Sequence, residues 1–166
     1  MKKIIFLNFA FIILFVFASG CTGYKPIYAT SNFNFKIEEH SIKGDLRLGN
    51  LIYRKINNIS LSNKNNTDLR SIIISIESKK GKRATVKNSV GNTLEYEINL
   101  DTNITINEFL TDKKIFEQNF NYSIGYKVQD EHSETLKLEN QNINNLVEKT
   151  YQDALIKISQ VTSLKW

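Results

Sequence analysis

The chain has 166 residues, 41% of them hydrophobic, one cysteine and a formal net charge of +5. That length holds one domain with a sizeable core and not two comfortable ones. A single cysteine excludes an intrachain disulfide, so the fold must stand on its core alone. A charge this mild does not by itself argue for nucleic acid, and none is expected as a partner.

Lys2 and Lys3 open the chain, residues 4–17 are apolar apart from Asn8, and Ala18, Ser19 and Gly20 are small. That is the anatomy of a secretory signal peptide. The apolar run is shorter than the roughly 20 residues a membrane-spanning helix needs. Small residues ending at Cys21 resemble a bacterial lipobox, with Ala18 where leucine is usual. The expectation is a signal peptide over residues 1–20, a lipidated tether over 21–30 that starts at Cys21, and a single domain over 31–166. Two or more acyl chains hold a protein on a membrane stably, at about 0.8 kcal/mol per buried methylene. By resemblance to Gram-negative lipoproteins, Thr22 rather than aspartate after the cysteine favours the outer membrane, on its periplasmic side.

Phe33, Phe35 and Ile37 alternate with polar residues and predict a half-buried strand. Gly44 and Asp45 break that pattern, and Asp45 can cap a helix. Leu48, Leu51, Ile52, Ile56 and Ile59 follow at helical spacing, which predicts a helix over 46–59. Residues 69–78 carry four isoleucines and predict a second strand. Leu94, Tyr96, Ile98, Leu100, Ile104 and Ile106 fall on even positions, as do Phe116, Phe120, Tyr122, Ile124, Tyr126 and Val128. Two such runs joined by a polar turn at Thr111, Asp112 and Lys113 read as an antiparallel hairpin with one apolar and one wet face. Residues 130–142 are polar. Ile143, Leu146, Val147, Thr150, Ala154, Leu155, Ile158 and Val161 then predict an amphipathic helix over 142–161. The order β-α-β-β-β-α points to an α+β two-layer sandwich, with two helices on a four-stranded, largely antiparallel sheet.

Signatures of chemistry are sparse. His40 and His132 lie in polar stretches without a ligand-spaced partner and read as exposed surface residues. No phosphate-binding loop, nucleophile elbow or zinc-binding helix motif occurs, so no enzyme, metal or cofactor is expected. The one polar feature above background is Lys79, Lys80, Gly81, Lys82 and Arg83, with Lys87 further on. Clustered cations of this kind can bind phosphate or another anion. The plainer reading is a solvated loop tip that discourages strand pairing.

The opening Cys21-Thr22-Gly23-Tyr24-Lys25-Pro26-Ile27-Tyr28 resembles the Cys-Gly-aromatic-x-Pro-Leu-Tyr start of the alphaproteobacterial branch of the lipopolysaccharide-assembly lipoprotein family, LptE. It differs by one inserted residue and by Ile27 for leucine. The similarity runs on through residues 44–52 and 83–100, through Phe120, Asn121 and Tyr122, and through Tyr151, Gln152, Asp153 and Ala154. The resemblance implies a non-enzymatic outer-membrane lipoprotein that plugs the LptD β-barrel, helps it assemble, and assists lipopolysaccharide on its way to the cell surface. It also implies a contact to lipopolysaccharide through basic residues near a strand-loop tip, for which Lys80, Lys82 and Arg83 are the candidates. The alternative is a periplasm-facing lipoprotein auxiliary to a lipid-transfer ABC transporter, with lipid held in an apolar groove.

Overall fold

The computed structural model describes residues 35–62 and 69–162. The expected signal peptide, Cys21, the expected tether and Phe33 lie outside them. Among the described residues six elements follow in the expected order: β1 (Phe35–Gly44), α1 (Leu46–Ser62), β2 (Arg70–Lys87), β3 (Thr93–Glu108), β4 (Lys114–Lys127) and α2 (His132–Thr162). The strands form one mixed sheet in the order β1-β2-β3-β4. β1 runs parallel to β2, across the α1 connection, and the other two pairs are antiparallel. Both helices pack on one face, so the molecule is an open α+β sandwich.

The core is the even-numbered face of the sheet. Ile72, Ile74 and Ile76 of β2 and Ile98, Leu100, Ile104 and Ile106 of β3 are buried under Leu48, Ile52 and Ile56 of α1 and under Ile143, Leu146, Val147, Leu155 and Ile158 of α2. Odd-numbered serines, asparagines, threonines and charged residues line the other face, which no described element covers.

β1 is longer than its alternation predicts, and the reason is a bulge. Ile37 faces Ile72, but Glu39 faces Ile73, so Glu38 is the extra residue. The bulge moves the helix-facing positions from odd to even numbers. His40 and Ile42 thereby come opposite Ile74 and Ile76. His40 is exposed as expected, yet its ring lies flat on Tyr53 of α1, with centroids 3.9 Å apart and planes 11° apart.

The β1–α1 junction is sterically tight. Gly44 has φ of 74°, and a Cβ there would stand 2.2 Å from the Ser78 carbonyl oxygen. The Asp45 amide donates to that same oxygen at 2.6 Å. The Asp45 carboxylate accepts from the Leu48 amide at 3.0 Å, an N-cap as expected. At the far end of α1, Ser60 donates to the Phe35 carbonyl at 3.2 Å and accepts from the Ile37 amide at 3.3 Å.

Two boundaries differ from expectation in ways that matter for function. β2 does not end at Ser78; it continues through the basic run to Lys87, because β3 supplies ladder partners from Asp101, opposite Lys79, to Thr93, opposite Lys87. Pairing with a long partner, regular as far as Ala84 and irregular between Ala84 and Lys87, outweighs the weak strand preference of lysine and glycine. α2 starts ten residues early, at His132, and its 31 residues reach about 46 Å at 1.5 Å each. Its polar first turns lie over the end of the sheet that carries those cations.

Candidate functional site

The basic run is a strand arm, so its side chains are sorted by the pleat. Even residues share the helix-covered face and odd residues the open face. Lys80 and Lys82 stand with the helices, opposite Leu100 and Ile98, and Arg83 stands on the other side, opposite Glu97. The three candidates for an anion site therefore do not converge.

Lys82 is already engaged. Its ammonium lies 2.5 Å from a carboxylate oxygen of Glu139 in α2, 4.2 Å from the centre of the Tyr96 ring and 5.8 Å from that of Tyr126. The Tyr126 hydroxyl donates to the same Glu139 oxygen at 2.8 Å. Burial works to lower the Lys82 pKa, but Glu139 and Tyr126 outweigh it and hold the ammonium above its ordinary value. Burial likewise works to raise Glu139, and Lys82 and Tyr126 outweigh it and keep the carboxyl below its ordinary value. The cluster is a charged clamp between β2, β3, β4 and the early turns of α2.

Arg83 pairs with Glu97 at 2.9 Å across the open face, and Lys79 pairs with Glu77 at 2.8 Å. Among the described residues, no carboxylate pairs with Lys80 or Lys87. Lys80 is exposed, and its charge helps to hold Glu139 down.

A second clamp holds the other half of α2. The Tyr122 hydroxyl of β4 donates to Asp153, and Lys149 sits 4.4 Å above the Tyr122 ring. Burial first, and then the bond to Asp153, push the Tyr122 phenol up to about 12. Lys55 of α1 pairs with Glu148 of α2 at 2.8 Å and faces the Tyr151 ring at 5.5 Å. Two of the segments that carry the LptE resemblance, at Tyr122 and at Asp153, thus touch each other.

On the open face the sheet forms a shallow concavity of about 510 Å³, lined by Lys43, Glu77, Lys79, Asp101, Asn103 and Glu117 among others. Its lining is charged and amide-rich. Among the described residues no cluster of histidine, cysteine and acid groups could hold a metal ion, and no helix is long and apolar enough to cross a membrane.

Sequence reasoning missed Glu139 and Tyr126 as partners of Lys82. The parity of Lys82 with Ile72, Ile74 and Ile76 was the available signal, since one uninterrupted strand would put all four on one face.

No family profile matches the chain, and no curated protein matches it. Solved structures do. The chain is similar to lipoprotein B from Nitrosomonas europaea, with a TM-score of 0.55 and 16% identity over 79% of this chain and 88% of that one. It is also similar to a minor lipoprotein from Acinetobacter baumannii, with a TM-score of 0.52 and 11% identity over 76% of this chain and 93% of that one. At such identities the likeness is one of architecture, and what the chain shares with these two lipoproteins is their fold.

Proposed function

We propose that this chain is an outer-membrane lipoprotein, anchored through Cys21, that plugs an LptD-type β-barrel and assists lipopolysaccharide transport. The observation that carries the reading is the pairing of an LptE-like opening at residues 21–28 with a domain folded like two solved lipoproteins. The polar open face supports it as well, because the lumen of a large outer-membrane barrel is polar and water-filled. A face of asparagine, serine, threonine and mixed charges can exchange water contacts for lumen contacts without stranding apolar surface.

Of the three basic residues proposed to meet lipopolysaccharide, Lys80 is the one with a free charge in this reading. Lys82 and Arg83 would each have to leave a carboxylate first. The alternative of an auxiliary transporter lipoprotein calls for an apolar groove, and the concavity on the open face is lined by charged and amide side chains. A tagged full-length chain, purified from detergent-solubilised envelopes and analysed by mass spectrometry, tests the proposal. A large β-barrel in stoichiometric amount is the expected companion. Recovery of an inner-membrane transporter subunit instead overturns the reading.

A further inference from the structure

β1 stops at Gly44, opposite Ser78, and the chain leaves the sheet for α1. β2 continues over residues 79–87 with β3 on one side. Among the described residues no strand lies on its other side. Ser78 turns its carbonyl outward, to the Asp45 amide. Ser71, an odd residue, turns its carbonyl the other way and accepts from the amide of Phe109, the residue after β3. Backbone groups alternate along a strand, so Lys80, Lys82 and Ala84 point their amides and carbonyls to the free side. Lys79, Gly81 and Arg83 point theirs to β3.

A row of open peptide donors and acceptors is a template for another strand. We propose that this free edge of β2 is a strand-addition site for an extended, acidic segment of a partner protein, laid in line with β1. The acidic character follows from charge. Lys79, Lys80, Arg83 and Lys87 line the edge with no carboxylate among them in the chain, while Lys82 stays with Glu139. They repel a second copy of the same edge and attract a strand of opposite sign. Lys80 and Lys87 have no carboxylate partner among the described residues. The side chains of Lys79 and Arg83 are 73% and 74% exposed, so their ion pairs are cheaply exchanged. The outer edge of β4 offers no such selectivity, since Lys114, Glu117 and Lys127 mix both signs along it. Main-chain bonds would supply affinity and the cations the choice of partner. The proposal does not depend on the barrel or on lipopolysaccharide.

The test is amide hydrogen exchange on the full chain in neutral-detergent micelles, read at single residues. The probe is a short peptide alternating glutamate with valine, beside the same peptide with lysine for glutamate. At about ten times its dissociation constant the acidic peptide should slow the Lys80, Lys82 and Ala84 amides about tenfold, and the basic peptide should not. Ala84→Pro removes one outward amide without touching the β3 ladder, and should abolish the protection. Lys80→Glu with Lys87→Glu, which leaves the backbone intact, should weaken binding at least tenfold and covers the case in which the proline variant does not fold. Three outcomes overturn the proposal: edge amides already slow before peptide is added, which would mean the chain's own residues cover the edge; protection that does not alternate along the strand; and protection by phosphatidylglycerol-doped micelles equal to that of the peptide.

Discussion

Lys82 is a stability residue before it is anything else, and a double-mutant cycle with Glu139 can establish this. Lys82→Met keeps most of the aliphatic stem and deletes the ammonium. It removes one charge-assisted hydrogen bond, worth about 1.5–3 kcal/mol when well buried, and a cation–π contact of about 0.5–1 kcal/mol. The Lys82 side chain is 35% exposed and that of Glu139 only 14%. Solvent screening on the lysine side discounts the sum, so about 2 kcal/mol is the expected loss. For a domain of this size that lowers the melting temperature by roughly 6–10 °C. Glu139→Gln should cost a similar amount. The double variant should cost at least about 1 kcal/mol less than the two single losses together. Lys80→Met is the control and should change stability by less than about 0.5 kcal/mol. The pH dependence has a definite sign. The Glu139 pKa in the folded chain lies below its ordinary 4.5, so its contribution is present above that value and is lost as pH falls through the lowered one. The Lys82 pKa lies above its ordinary 10.5, so its contribution persists below that value and is lost as pH rises through the raised one. Thermal unfolding of the wild type and the four variants at neutral and acid pH is the assay. Additive single losses, or equal effects of Lys80→Met and Lys82→Met, would refute the clamp.

Three further outcomes can be checked. Gly44→Ala forces a side chain into a left-handed backbone and against the Ser78 carbonyl; it should cost at least about 2 kcal/mol in denaturant unfolding, and a neutral result would show the junction to be looser than described. In an ultraviolet titration Tyr122 should resist ionisation until about 12; Asp153→Asn should lower that value, whereas an unchanged titration would separate the two side chains. Cys21→Ala should abolish metabolic incorporation of palmitate and release the chain from membranes, and retained label would place any acyl chain elsewhere.

The sheet and its buried residues were legible because parity is a direct image of the pleat. The even positions from Leu94 to Ile106 needed only their alternation to be placed under the helices, and Leu94 alone remains 46% exposed at the arm's end. β1 was partly hidden because the bulge at Glu38 breaks the alternation where it would otherwise reveal the strand. The arm of β2 was hidden because lysine and glycine look like a turn until the length of β3 is known. The first turns of α2 carry few apolar residues, since they bury Thr135 and Asn142 and anchor Glu139 rather than a hydrophobic stripe. As for the candidate site, composition located the cations, but only the pairing register could say that Lys82 and Arg83 point in opposite directions.

The strand order carries a consequence for how the domain comes together. β2, β3 and β4 are consecutive in the chain and each neighbours the next, so their pairings close short loops. β1 meets β2 only after α1 has crossed between them, a longer loop with a larger entropic cost. The meander is therefore the natural nucleus, and β1 arrives late. On opening, the order reverses: the parallel edge frays first, and the amides of β3, bonded on both sides, are the last to meet solvent.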